Sequence, residues 1–95
     1  MDAEEFVKAF KESTRVEMEF GGSTHVVERR RAAGSEVVWV HWEAAVGRRR
    51  GGRYRQHEPA DAEGADEHTE FDLWDLARWF AWASTQYSAS TVRVY

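Results

Sequence analysis

The sequence carries four imidazole side chains, His25, His41, His57 and His68, and imidazole is the group that binds transition metals and moves protons near neutral pH. None of the four forms an HxH or HExxH spacing. His41 and Glu43 fall on one face of an expected strand and would hold an ion only if a third ligand arrived from elsewhere, so no metal site is expected. Cysteine is absent, which excludes disulfides, thiolate zinc sites, thiol nucleophiles and CxxC redox motifs and fits a reducing cytoplasm. The serines and threonines have no GxSxG elbow and no local histidine and acid partner. Gly21-Gly22 and Gly51-Gly52 match neither a GxxxxGK nor a GxGxxG phosphate cradle. Paired carboxylates such as Glu17 and Glu19 alternate outward on a strand, away from any apolar pocket that would raise a pKa. No catalytic residue, cofactor or small-molecule substrate is therefore expected, and the chain reads as a non-enzymatic protein.

Charge is more suggestive. Arg48, Arg49, Arg50, Arg53 and Arg55, spaced by glycines and carrying Tyr54 among them, could offer guanidinium groups to phosphates and a ring to a base. They are followed by a stretch from Glu58 to Asp75 that contains no lysine or arginine, and the formal net charge is −4. On that balance a solvated arginine tip held by the acidic stretch is the simpler reading, with nucleic-acid binding as the alternative.

The third group is aromatic. Helical spacing places Leu73, Trp74, Ala77, Phe80, Ala81 and Ser84 toward a common side that should cover a sheet. Phe71, Asp75, Trp79 and Trp82 project mainly the other way, with Arg78 at the edge. That second face is covered either by the first helix, through Phe6 and Phe10, or the closing strand, or else by a partner, because aromatics with arginine are the usual anchors of protein interfaces. Phe71, Asp75, Arg78, Trp79 and Trp82, together with an outward Trp39, are the candidate partner-binding residues.

The elements that must position these groups follow from period and punctuation. Asp2 and Glu5 have capping-box spacing, and Ala3, Phe6, Val7 and Phe10 recur at helical intervals to about Glu12. From Thr14 the period changes to two. Val16, Met18 and Phe20 define a strand, and Gly21-Gly22 a two-residue hairpin that pairs Phe20 with Ser23, Met18 with His25 and Val16 with Val27. Ala33-Gly34 offers a second two-residue turn, whose register sets Val27 opposite Val40 and His25 opposite Trp42. The core face then holds Val16, Met18, Phe20, Val27, Val38, Val40 and Trp42, with His25 as a partly buried ring among them. The opposite face holds Arg15, Glu17, Val26, Glu28, Arg30, Val37, Trp39, His41 and Glu43. Arg53 to Glu58 could form a further strand, and residues 58–69 read as a flexible acidic loop. Thr69 and Asp72 cap a long last helix that runs to about Tyr87, and Thr91 to Tyr95 alternates as a short closing strand.

With 95 residues and 42% hydrophobic content, one domain spanning 1–95 with a single core is expected. Its class is α+β, two layers: an antiparallel sheet of four to five strands built from a β-meander and a closing strand, covered by the N-terminal and long C-terminal helices. The order helix, three strands, helix is similar to that of the double-stranded RNA-binding domain. That family's lysine cluster at the start of the last helix has no counterpart here, where Thr69, Glu70, Phe71 and Asp72 would repel phosphate. Met1 is followed by acidic residues without a basic or apolar leader, and the most apolar window, Phe71 to Ala83, is broken by charges, so export and a membrane span are not expected. The function expected is that of a cytoplasmic protein-binding module, an inhibitor, immunity or phage-encoded antagonist protein acting through acidic and aromatic surface. A homodimeric structural domain is the further alternative.

Overall fold

Asp2 caps the first helix, α1 (Ala3–Glu12). Its carboxylate accepts the Glu5 backbone N–H at 2.8 Å, and Glu5 returns a bond to the Asp2 N–H at 2.8 Å, satisfying donors that the first turn leaves without helical partners. The computed structural model describes residues 1–20, 22–31, 33–45, 66–86 and 91–95. After α1 come β1 (Arg15–Phe20), β2 (Ser23–Arg31), β3 (Val37–Ala45), β4 (Asp66–His68), α2 (Leu73–Gln86) and β5 (Thr91–Val94). Short 3-10 turns at Ala33–Ser35 and Glu70–Asp72 precede β3 and α2.

The strands form one antiparallel sheet in the order β4-β3-β2-β1-β5. The class expected from the sequence is the one observed, and the first hairpin has the expected register: Phe20 opposite Ser23, Met18 opposite His25, Val16 opposite Val27. Gly22 takes φ +83 in that turn, a conformation that costs glycine little. The closing strand pairs with β1, placing Val92 opposite Met18 and Val94 opposite Val16. Among the described residues no helix is long and apolar enough to cross a membrane.

The second hairpin departs from expectation by one residue. Arg31 pairs with Val37, so the connection is residues 32–36 and not a two-residue Ala33-Gly34 turn. Val27 therefore faces His41 and not Val40, and His25 faces Glu43 and not Trp42. Gly34 at φ +86 and Ser35 at φ +68 carry the chain round in left-handed conformations, and the Arg31 guanidinium donates to the Ser35 carbonyl at 2.9 Å. Because side chains alternate along a strand, this shift moves every β3 residue to the other face. Val37, Trp39, His41 and Glu43 turn toward the helices, whereas Val38, Val40 and Trp42 turn away from them.

The helix-covered core contains Phe6, Val7 and Phe10 of α1, Val16, Met18, Val27 and Trp39 of the sheet, and Leu73, Leu76, Ala77, Phe80 and Ala83 of α2. Phe80 meets Phe6 and Phe10 edge-on, with ring centroids 5.5 and 5.4 Å apart, a geometry that suits the ring quadrupoles. Trp39, expected to face outward at an interface, is instead buried by the β3 register, and its indole N–H donates to the Phe10 carbonyl at 2.8 Å. That carbonyl lies in the last turn of α1, where helical partners run out. On α2, Leu76 and Ala83 take the inner positions, and Trp74, read as sheet-facing, stands at the margin and is exposed.

The sheet's other face carries Val26, Val38 and Trp42, all buried. Beside them the expected polar residues of β1 and β2 form a ladder of ion pairs. Arg15 bonds Glu17 at 2.8 Å and approaches Glu28 at 3.6 Å, Arg30 bonds Glu28 at 2.7 Å, and Arg93 bonds Glu19 at 3.1 Å. The Arg15 guanidinium also lies 5.6 Å from the Trp42 ring centroid, in cation–π range. Asp66–His68, read as part of a flexible loop, is a strand paired to β3, with His68 opposite Trp39 and Asp66 opposite His41. Residues 58–65 and the suggested strand at 53–58 lie outside the described residues.

The register makes a direct prediction. Trp39→Ala, which removes a buried indole and its hydrogen bond, should cost about 3–5 kcal/mol in urea unfolding. Phe71→Ala, on the exposed turn before α2, should change stability by no more than about 0.5 kcal/mol. The reverse ranking would restore the two-residue turn.

Candidate functional site

Three neighbouring strands each contribute one histidine to the helix-covered face. His25 on β2 and His41 on β3 sit diagonally across one ladder, since His25 pairs with Glu43 and Val27 with His41. His41 in turn pairs directly with Asp66 of β4, and strand alternation returns His68 to the same face as Asp66. The result is a contiguous set: His25 Nδ1 lies 3.1 Å from His41 Nε2, and the His41 and His68 ring centroids are 6.4 Å apart. His25 Nε2 is 3.9 Å from Glu43 Oε2.

Helix α2 closes the set from above. The Trp79 ring lies over the two inner histidines, with centroid separations of 4.9 Å to His25 and 5.8 Å to His41, and Phe80 meets His41 edge-on at 5.6 Å. Between β3, β4 and α2 is a cleft of about 260 Å³ lined by His41, Asp66, His68, Asp75, Leu76 and Trp79. Removal from water lowers the pKa of His25 despite the opposing Glu43 carboxylate. Burial, reinforced by the neighbouring His25 and His68, lowers that of His41 to about 4, against the pull of Asp66 and Glu43. His41 is therefore neutral at pH 7, with a lone pair on one nitrogen.

His68 is in an uncommon position. Both of its ring nitrogens are shielded from solvent and neither has a hydrogen-bond partner, a state that costs free energy for a polar group. The nearest carboxylate oxygen to Nδ1 is Asp72 Oδ1, at 3.6 Å, and that oxygen already accepts the Thr69 backbone N–H at 2.9 Å. One ligating atom from each of His41, Asp66 and His68 lies within 4.8 Å of the others. From the sequence no metal site is expected, because His41 and Glu43 lack a third ligand; the DxH spacing of Asp66 and His68 is the signal that supplies one, and it lies in a segment expected to be loop.

The candidate partner-binding residues do not form one patch. Phe71 projects from the turn before α2 and is 96% exposed, and Trp82 is 53% exposed beside the N-terminal end of α1. Asp75 and Arg78 pair with each other at 3.2 Å, both exposed. Trp79 stands apart at the cleft, and Trp39 is in the core. Trp74, missed as a surface residue, borders a groove between the two helices with Glu4, Glu5, Val7, Lys8 and Lys11. Arg48, Arg49, Arg50, Arg53, Tyr54 and Arg55 lie outside the described residues. No protein-family model, curated protein or solved structure matches this chain.

The His41 environment sets a pH dependence. The unfolded chain takes up this proton near 6.5, the ordinary value for imidazole, and the folded chain only near 4, so acid favours unfolding. In a chelating buffer, stability should fall by up to about 3 kcal/mol between those two values. Urea midpoints measured across the range should show this loss, and His41→Gln should flatten it; an equal slope in the variant would assign the dependence to other groups.

Proposed function

We propose that this protein is a non-enzymatic binding module whose outer α2 surface engages a protein partner. The observation that carries the reading is Phe71, 96% exposed on an ordered turn. An aromatic ring left in water forgoes roughly 2 kcal/mol of burial, which an interface recovers. Trp74 and Trp82 extend the apolar surface along the same helix.

Around these rings Glu4 and Glu5 on α1 are exposed acids, while Glu70 is paired with Lys11 at 2.8 Å and Asp75 with Arg78 at 3.2 Å, so the rim carries acids in excess over its cations. The surface therefore suits an apolar pocket rimmed by cations. A second copy of the chain is the poorer occupant, since each brings a net charge of −4 and a two-fold contact would set like rims together. Small inhibitor, immunity and phage-encoded antagonist proteins are the class of binder that this surface fits, by occupying a basic site on a target. The cysteine-free composition accords with work in a cytoplasm.

The test compares the full chain with its Phe71→Ser/Trp82→Ser variant, both outside the core. Immobilised wild type should retain, from a lysate of the source cells, a protein that the variant does not. With that protein purified, the variant should bind at least about tenfold more weakly, and added salt should weaken the wild-type complex. Equal retention by both chains would reject the surface. A wild-type dimer that the variant converts to monomer in light scattering would replace the heterologous partner with self-association.

A further inference from the structure

We propose that the cleft between β3, β4 and α2 is a binding site for a divalent transition-metal ion, with Zn2+ the ion that fits best, ligated by His41, Asp66 and His68. The proposal is independent of the partner surface on α2, because neither Phe71 nor Trp82 lines this cleft.

Placement comes first. The three ligands stand on two strands held in fixed register: Asp66 is directly opposite His41, and His68 follows on the same face. Their ligating atoms lie within 4.8 Å of one another. A tetrahedral ion with bonds of about 2.0–2.1 Å needs its ligand atoms about 3.4 Å apart. The difference is within reach of side-chain rotation, without movement of the ladder.

The surroundings of the two imidazoles are the stronger argument. A metal-bound histidine ordinarily gives its second nitrogen to a carboxylate or another acceptor, which fixes the tautomer and aims the ring. His41 has this arrangement: Nε2 is engaged with His25 Nδ1 at 3.1 Å, and His25 Nε2 faces Glu43 at 3.9 Å, so Nδ1 of His41 is the nitrogen left for an ion. His68 has it too, in a loose form. Its Nδ1 is 3.6 Å from Asp72 Oδ1, which leaves Nε2 to ligate. That nitrogen is buried and without a partner, and an ion at the cleft would give it one.

The donor set selects the ion. Two imidazoles and one carboxylate suit Zn2+ and its transition-metal neighbours, whereas Ca2+ and Mg2+ prefer all-oxygen sites. Three protein ligands would leave one tetrahedral position for water or another ligand. Trp79, lying 5.8 Å from the His41 ring, screens the site on its inner side.

The experiment is isothermal titration of the chelator-treated full chain with ZnCl2 near neutral pH, repeated with CoCl2 for the visible absorption of a tetrahedral nitrogen–oxygen site. The wild type should bind one ion per chain. Asp66→Asn, at an exposed position that the fold does not depend on, and His68→Gln should each weaken binding at least about tenfold, with circular dichroism unchanged. Asp72→Asn, which keeps an oxygen for the Thr69 N–H but removes the charge facing His68 Nδ1, should weaken binding by a smaller factor than either ligand variant. Absence of binding by the wild type, or affinity unchanged in both Asp66→Asn and His68→Gln, would overturn the proposal; in the second case the ion is held elsewhere on the chain. Should His68→Gln fail to fold, Asp66→Asn alone decides.

Discussion

The pairing of Arg31 with Val37 decides which side of β3 meets the helices, and most of the molecule follows from it. A strand has no intermediate position: one residue of slip exchanges its two faces entirely. With this register Trp39 enters the core and meets the unpaired end of α1, so the helix is tied to the sheet at a point where both have something to gain. With the other, a carbonyl at the end of α1 would lose its donor and the core would receive Val38, Val40 and Trp42 in place of Trp39. The turn at Ala33–Ser35, with two successive left-handed residues, is the local geometry that makes the odd-numbered connection possible.

The same register assembles the histidines. His41 reaches the helix side only because β3 is turned that way, and there it lies between His25 on one neighbour and Asp66 on the other. The cost of this arrangement is visible in the burial of His41 and in the unpartnered nitrogens of His68. A chain selected for stability alone would fill such positions with aliphatic groups. Polar groups that are retained where they destabilise point to a use.

Much of the architecture was legible because its signals are local. The Asp2–Glu5 box, the alternation of β1, the Gly22 turn and the presence of the long helix α2 each rest on signals within a few residues, and each was realised. The β3 register was not legible, since Ala33-Gly34 satisfies a two-residue turn as well as a longer one and only the packing of Trp39 separates the two. Strand β4 has just Asp66, Glu67 and His68, with no apolar period to announce it; it is a strand because β3 supplies the partner. The histidine cluster depends on both of these non-local facts, so the residues were visible and their meeting was not. On α2 the error was smaller: Trp74 and Leu76 flank the inner face, and the helix settled with the aliphatic side chain inside.

The lengths of the strands bear on how the molecule behaves among its own copies. The central strands β2 and β3 run nine residues each, while the margins β4 and β5 have three and four. An open sheet margin is a template for another chain, and short, charged margins are poor templates. Here one margin is entirely Asp66, Glu67 and His68, and the other carries Arg93 between two valines, locked to Glu17 and Glu19 of the strand beside it. Among the described residues, edge-to-edge pairing of one sheet with the next is thus discouraged at both ends of the strand order by a few residues that contribute little to the core.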